Sequence, residues 1–218
     1  MFRIKICGLT HPSDADAVVA AGADAVGLNF YHGSKRHIDP EMAAAIVREL
    51  PESIVRVGLF VNAPAGEIRE LVNRLRLDLV QLHGDESPAD IAALGEIPVM
   101  KAFRPASSLE VIVYLEACAR LGCQPRMVLL DASVPGALGG TGLRADWEIA
   151  QQYLQSLRVP PLVLAGGLTP DNVAEAIRTV KPAAVDTASG VEFAPGRKDP
   201  DQVARFVDAA RAAFAEQH

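Results

Sequence analysis

Eight short apolar runs alternate with longer segments of helical periodicity along this chain of 218 residues. Each run has the length of one strand, and the segment after it repeats apolar residues at the spacing of a helix. This alternation is typical of βα units around a parallel sheet, so we expect an α/β protein. The predicted strands are Arg3–Cys7, Ala25–Phe30, Val55–Val61, Leu79–His83, Val99–Phe103, Met127–Leu130, Leu162–Ala165 and Ala183–Thr187.

Helix start signals follow several of the predicted strands. Aspartate, serine or threonine directly before proline is a common N-terminal signature of a helix, and it occurs at Asp39-Pro40, Ser87-Pro88 and Thr169-Pro170. We expect each strand to be followed by one helix. The helices are predicted to begin near Pro12, Asp39, Pro64, Ser87, Ser107, Arg144, Thr169 and Pro200.

Eight consecutive right-handed βα units match a closed (β/α)8 TIM barrel, in which the last strand pairs with the first. An open doubly wound sheet is the alternative. No linker, low-complexity segment or charge block marks a second domain. We therefore predict a single-domain (β/α)8 barrel over residues 1–218, with its chemistry in the long loops after strands two, six and eight.

Charge and cysteine content narrow the possible partners. The formal net charge of -6 disfavours nucleic-acid binding, which needs clustered Lys and Arg. No signal peptide or membrane-spanning run is visible, and three cysteines without a CxxC pair argue against a disulfide framework and a zinc site. We expect a cytoplasmic enzyme, monomeric or homodimeric, that acts on a small molecule without nucleic acid, membrane, metal or redox cofactor.

Two glycine-bearing turns follow predicted strands seven and eight. Gly166 and Gly167 stand in the first turn, and Ser189 and Gly190 stand in the second. Glycines let the backbone approach a ligand closely, and free N–H groups at a helix start favour an anion. Either turn alone could be a simple loop, but a TIM barrel often binds phosphate at this place. We therefore predict that these four residues hold a phosphate.

Polar residues occupy inward positions near the carboxyl ends of the predicted strands. Because side chains alternate along a strand, Lys5 and Cys7 point into the barrel. A buried lysine needs a partner, and Asp186 is the nearest candidate if the barrel closes. This pair either fixes strand register only or also acts electrostatically on Cys7. The same alternation directs inward Asn29, Gln81, His83, Asp131 and Asp186.

Cys7 and Asp131 are the candidate proton-transfer groups. Positive charge near a thiol favours the thiolate, which can accept a proton, although a cysteine in a strand is more often a small buried hydrophobe. Asp131 precedes a glycine-rich loop over 136–142. Its side chain either stabilises that loop through hydrogen bonds, or it gives and retrieves a proton across the barrel mouth. Two such groups on opposite sides of one small substrate suit a sugar isomerisation.

Arg36 lies in the loop after strand two. A guanidinium is the best bidentate partner for a carboxylate, but most loop arginines are solvated, and sequence spacing does not decide between these two roles.

The five histidines show no ligand spacing, so we expect His83 to form hydrogen bonds at the edge of the core. A metal-dependent pentose-phosphate epimerase is one alternative function. It would need inward His and Asp ligands, and the histidines of this chain are badly placed to serve as such ligands. A barrel that only senses a phosphorylated metabolite would need no proton pair, and turnover distinguishes it.

The chain resembles the phosphoribosylanthranilate isomerase family of tryptophan biosynthesis over nearly its whole length. The resemblance rests on an ordered set of motifs, each of them weak alone. They are Lys5–Thr10, Gly27–Tyr31, Ser34–Arg36, Val57–Asn62, Gln81–Glu86, Lys101–Arg104, Leu130–Ala132, Gly139–Gly142, Asp146-Trp147, Ala165–Leu168, Asn172-Val173, Ser189–Glu192 and Pro195–Asp199.

This resemblance implies an Amadori rearrangement of N-(5'-phosphoribosyl)anthranilate. By the same resemblance Asp131 would be the general acid that opens the ribose ring, and Cys7 the general base that takes the proton from C2. Arg36 would hold the anthranilate carboxylate, and the two glycine turns would hold the phosphate. Lys5, Gln81, His83 and Asp186 are expected to support these groups.

Two positions depart from the family pattern, and one position separates a related family. Lys35 stands where the family often has proline, and Ala188 stands where a second serine is common. A related barrel isomerase family of histidine biosynthesis has aspartate at the end of strand one, where this chain has Cys7. The sequence therefore favours the tryptophan-pathway isomerase.

Overall fold

A computed structural model of the chain describes residues 1–131 and 143–217, with the backbone alone at 143–146. Eight parallel strands form a closed barrel in chain order, and the first strand pairs with the eighth. This closure confirms the predicted (β/α)8 barrel and excludes the open doubly wound sheet. Within the described residues, no helix combines the length and the apolar character that crossing a membrane requires.

The barrel strands lie within one residue of their predicted ends because short apolar runs bounded by polar or turn residues mark them clearly. A short antiparallel hairpin, which the sequence did not predict, follows the eighth strand. The strands are β1 (Ile4–Cys7), β2 (Ala25–Asn29), β3 (Val55–Phe60), β4 (Leu79–Leu82), β5 (Val99–Phe103), β6 (Met127–Asp131), β7 (Leu162–Ala165), β8 (Ala184–Thr187), β9 (Glu192–Ala194) and β10 (Arg197–Lys198).

One helix follows each barrel strand. Proline at the first turn and a polar cap before it mark several starts, as predicted. The helices are α1 (Pro12–Ala21), α2 (Pro40–Glu49), α3 (Ala65–Leu75), α4 (Pro88–Ala93), α5 (Ser108–Leu121), α6 (Leu143–Leu154), α7 (Val173–Val180) and α8 (Pro200–Ala215).

The predicted start of α7 at Thr169 is wrong, because the helix begins at Val173. The Asn172 side chain accepts a hydrogen bond from the Thr169 amide at 2.8 Å and donates one to the Gly167 carbonyl oxygen at 3.0 Å. These local bonds offer the backbone a turn in place of a helix. The segment after β7 is therefore a braced turn that precedes the helix.

The core has two layers. The larger layer lies between the strands and the surrounding helices, and the smaller one fills the barrel interior. Apolar residues such as Met100, Leu129 and Val163 form this interior cluster. Above it, towards the carboxyl ends of the strands, the inward side chains become polar. The chain therefore has a packed floor and a polar barrel mouth, where the enzymes of this fold carry their active sites.

Candidate active site

A cavity of about 560 Å³ opens at the carboxyl ends of the barrel strands. Its volume lies within the range of small-molecule sites. Most of the residues singled out from the sequence line it, while Lys5 lies buried below it and Gly190 is absent from its wall. Those in the wall are Cys7, Asn29, Arg36, Gln81, His83, Asp131, Gly166, Gly167, Asp186 and Ser189.

Cys7 ends β1 at the cavity wall, and glycines on both sides make room for it. A Cβ atom at Gly27 would lie 2.6 Å from the Cys7 Sγ and 3.0 Å from the Lys5 Nζ. The next residue, Gly8, has φ of +79°, and a Cβ there would lie 2.5 Å from the Arg36 Cδ. The thiol, the ammonium and Arg36 can therefore approach one another because these two positions carry no side chain.

Burial and nearby charges act on the pKa of the Cys7 thiol in opposite directions. Burial raises the pKa of Cys7, and the nearby Asp186 carboxylate raises it further. The ammonium groups of Lys5 and Lys198 lower this pKa, but they do not outweigh burial. The electrostatic effect of Lys5 expected from the sequence therefore has the predicted sign, and it is smaller than the effect of burial.

Lys5 and Asp186 form the ion pair that barrel closure predicted. They are register partners on β1 and β8, and the Lys5 Nζ lies 2.9 Å from the Asp186 Oδ1. Both residues are buried. Burial raises the pKa of Asp186 even though Lys5 opposes the shift. Because each charge is costly to bury alone, the ion pair stabilises the pairing of β1 with β8 that closes the barrel.

Replacing Asp186 with alanine is expected to lower the free energy of unfolding by about 3–5 kcal/mol, because it leaves a buried ammonium unpaired. Urea unfolding of Asp186→Ala against the wild type measures this loss. In the double variant Lys5→Met/Asp186→Leu, which removes both charges, most of the stability should return. A double variant as unstable as the single one would contradict this account.

Asp131 ends β6 on the wall of the same cavity. Its Oδ2 lies 3.2 Å from the Arg104 Nε and 3.4 Å from the His83 Nε2. Only 13% of its side chain is exposed. The glycine-rich loop predicted at 136–142, with its Gly139–Gly142 motif, lies outside the described residues, as do Ala132 and the Asp146 side chain.

His83 and Gln81 form hydrogen bonds beside Asp131. The Arg104 Nη2 lies 3.1 Å from the His83 Nε2, and the Gln81 Nε2 lies 3.3 Å from the His83 Nδ1. Because arginine can only donate, its contact with Nε2 favours the tautomer in which Nδ1 carries the proton. The Gln81 amide then fits better when turned so that Oε1, which lacks a hydrogen-bond partner in the described structure, accepts from Nδ1.

The turns after β7 and β8 lie against each other. Gly166 and Gly167 have φ of +85° and +63°, which favours glycine, and the Gly167 amide has no acceptor among the described residues. The Thr187 hydroxyl donates to the Leu168 carbonyl oxygen at 2.7 Å. A Cβ at Gly190 would lie 1.9 Å from that oxygen, so Gly190 permits this packing and does not itself face the cavity.

Arg36 is held by a carboxylate of the protein. Its Nε and Nη2 donate to the two carboxylate oxygens of Glu192 at 2.8 and 2.7 Å. These bonds raise the pKa of Arg36. The Lys198 Nζ contacts the same carboxylate at 2.8 Å. Arg36 is therefore not the solvated loop arginine that was one alternative from the sequence.

The sequence assigned no role to Glu192, Lys198 or Arg104, although each stands in a motif that was noted. The available signal for the first two was Pro195-Gly196, a turn between Glu192–Ala194 and Arg197–Lys198 that indicates a hairpin. Nothing in the spacing shows that this hairpin reaches Arg36. Arg104 directly follows β5, and its contact with Asp131 depends on the pairing of β5 with β6.

A family model, curated relatives and solved structures were compared with this chain. The family model for N-(5'-phosphoribosyl)anthranilate (PRA) isomerase matches residues 4–209. An N-(5'-phosphoribosyl)anthranilate isomerase of Geobacter sulfurreducens is 50% identical, with 97% of this chain and 99% of that protein covered. The phosphoribosyl anthranilate isomerase structure from Thermotoga maritima has a TM-score of 0.84 at 40% identity, over 97% of this chain and 100% of that one.

A further solved structure carries a ligand. It is a phosphoribosyl anthranilate isomerase in complex with reduced 1-(o-carboxyphenylamino)-1-deoxyribulose 5-phosphate. This chain is similar to it with a TM-score of 0.81 and 39% identity, over 97% of this chain and 100% of the other. The bound compound contains a carboxyl group and a phosphate.

Proposed function

The chain belongs to the N-(5'-phosphoribosyl)anthranilate isomerase family, and from that premise we propose that it converts N-(5'-phosphoribosyl)anthranilate to 1-(2-carboxyphenylamino)-1-deoxyribulose 5-phosphate in tryptophan biosynthesis. The observation that carries the proposal is one cavity lined by Cys7, by Asp131 and by the glycine turns after β7 and β8. A thiol and a carboxyl group at one cavity can handle the two protons that such an isomerisation moves.

The reaction proceeds by proton transfer alone. Asp131 protonates the ribose ring oxygen, the bond between that oxygen and C1 breaks, and a Schiff base forms between C1 and the anthranilate nitrogen. The thiolate form of Cys7, which the neighbouring Lys5 and Lys198 ammonium groups favour, takes the proton from C2 and gives an enolamine. The enolamine becomes the ketone when the C2 hydroxyl loses a proton and C1 gains one. Substrate and product are isomers, so no external oxidant or reductant is needed.

Two anchors hold the substrate in this scheme. Arg36 binds the anthranilate carboxylate, because a guanidinium offers two parallel N–H donors to a carboxylate. The Gly166-Gly167 turn and Ser189 bind the phosphate through backbone and hydroxyl donors. Lys5, Gln81, His83 and Asp186 support Cys7 and Asp131 from below and beside them. We propose one catalytic domain over residues 1–218, monomeric or homodimeric and cytoplasmic.

Replacing Arg36 with alanine is expected to raise KM for phosphoribosylanthranilate by about ten- to hundredfold, because hydrogen bonds to a charged group contribute about 1.5–3 kcal/mol. The effect on kcat should be smaller, because Arg36 does not move a proton. Initial rates over a range of substrate concentrations give both constants. Arg36→Lys, which keeps the charge and loses the planar fork, is the control. Its KM should lie between those of the wild type and of Arg36→Ala. An unchanged KM in Arg36→Ala would show that Arg36 does not hold the carboxylate.

The direct test of the function is turnover of phosphoribosylanthranilate by the purified chain. Substrate disappearance and ketose formation are followed together, with Cys7→Ala as the matched control for contaminating activity. Conversion that the control lacks supports the isomerase. Tight binding of the phosphorylated compound without conversion would favour the sensor that the sequence left open.

A further inference from the structure

We propose that Glu192 and Lys198 are positioning residues that orient Arg36 and connect it to Cys7 and to the turn after β8. Both residues belong to the hairpin of β9 and β10, and neither lines the cavity. In this role they keep Arg36, which binds the carboxylate, and the turn with Ser189, which binds the phosphate, at a fixed distance from the Cys7 thiol. This inference rests on the proposed function.

Lys198 connects three parts of the site. Its side chain is fully buried, and its ammonium has three protons to donate. Those protons meet three acceptors: the Cys7 carbonyl oxygen at 2.6 Å, the Ala188 carbonyl oxygen at 3.1 Å and the Glu192 Oε1 at 2.8 Å. The end of β1, the turn that carries Ser189, and the partner of Arg36 therefore share a single point of attachment.

Glu192 links that point to Arg36. Its Oε1 accepts from the Arg36 Nε and the Lys198 Nζ, and its Oε2 accepts from the Arg36 Nη2. Only 4% of its side chain is exposed. Burial raises the pKa of Glu192, but the bonds from Arg36 and Lys198 outweigh burial and hold it below its usual value. The carboxylate is therefore ionised and shared between two cations.

This geometry fixes the direction in which Arg36 can bind. Glu192 occupies the edge of the guanidinium formed by Nε and Nη2. The remaining N–H groups, on Nη1 and on the other side of Nη2, form the second edge of the planar fork. Arg36 lines the cavity, and in this proposal its second edge binds the substrate carboxylate. Without Glu192 the fork could turn about its stem and lose that orientation.

The charge of the cluster also fits a carboxylate ligand. Arg36 and Lys198 carry two positive charges, and Glu192 carries one negative charge. The net positive charge that remains is partly buried, because only 26% of the Arg36 side chain is exposed. An anthranilate carboxylate would neutralise it. A purely structural contact could be made by apolar residues at a lower desolvation cost, so the ions are better explained by the ligand.

The test compares two substrates in Glu192→Gln. The variant keeps the shape of the side chain but cannot accept from two cations as a carboxylate does. We expect KM for phosphoribosylanthranilate to rise about tenfold or more, which corresponds to the loss of one charge-assisted interaction. For N-(5'-phosphoribosyl)aniline, which lacks the carboxylate, KM should change by less than about twofold. The quantity that decides is the ratio of the two KM values.

A matched control separates positioning from general loss of structure. Glu86 is also buried and also pairs with a buried lysine, Lys101, at 3.0 Å. Glu86→Gln should destabilise the protein without changing the KM ratio. If Glu192→Gln does not fold, Glu192→Asp, which keeps the charge on a shorter side chain, should raise the ratio in the same direction.

Two outcomes overturn the inference. The first is a Glu192 variant whose KM ratio equals that of the wild type. The second is a Glu192→Gln effect on KM that persists at full size in an Arg36→Ala background, since a residue acting through Arg36 must lose its effect there. A wild-type chain that does not convert phosphoribosylanthranilate would instead overturn the proposed function, so the two failures are distinguishable.

Discussion

Cys7→Ala is expected to lower kcat for phosphoribosylanthranilate by about a hundred- to ten-thousandfold, the range for loss of a general base. The Cys7 sulfur lies at the cavity wall beside Gly27, and alanine leaves that space open without disturbing the glycine. KM should change little, because the phosphate and carboxylate anchors stay in place. Steady-state kinetics measure the effect, and the thermal unfolding midpoint shows whether the barrel persists.

Cys7→Ser is the matched control for this prediction. A serine hydroxyl fills nearly the same volume but is a much weaker acid than a thiol, so its anion is rarer. The serine variant should therefore also be slow, with unchanged stability. Turnover near the wild-type value in either variant would remove Cys7 from the role of base.

Asp131→Asn is expected to lower kcat by a similar hundred- to ten-thousandfold, because an amide cannot protonate the ring oxygen. The asparagine oxygen can still accept from Arg104, which lies 3.2 Å from the present carboxylate, so local structure should persist. Kinetics and unfolding of the purified variant measure both consequences. The expected pattern is a large loss in kcat with little change in KM.

Asp85 provides the control for this second prediction. It also lines the cavity and is also a carboxylate, but its side chain is not assigned a proton in the reaction. Asp85→Asn changes the charge of the cavity by the same amount and should keep kcat within about tenfold of the wild type. Equal losses in the two variants would mean that overall charge, and not a proton from Asp131, is responsible.

The strands and the inward polar residues could be predicted because each depends on local pattern. Apolar runs fix the strands, and alternation along a strand fixes the direction of Lys5 and Cys7. Closure of the barrel then pairs Lys5 with Asp186 without further information. The start of α7 could not be predicted from Thr169-Pro170, because side-chain bonds of Asn172 make a turn there first.

The cluster around Arg36 could not be predicted because it joins a loop to a hairpin that is distant in sequence. Arg36 and Glu192 are 156 residues apart, and no strand register brings them together. The direction of the Cys7 pKa shift could not be predicted from the sequence for another reason. The sign of the Lys5 effect follows from charge alone, but its size relative to burial depends on how deeply β1 is covered.

The pairing of β1 with β8 bears on how the protein is made. Cys7 is synthesised well before Asp186 and Lys198, which bind to Lys5 on β1 and to the Cys7 carbonyl oxygen. A nascent chain with only seven βα units has no β8 to pair with β1, and its Lys5 lacks Asp186. The reaction centre can therefore be assembled only after synthesis of the hairpin of β9 and β10, so shorter nascent fragments are expected to be inert.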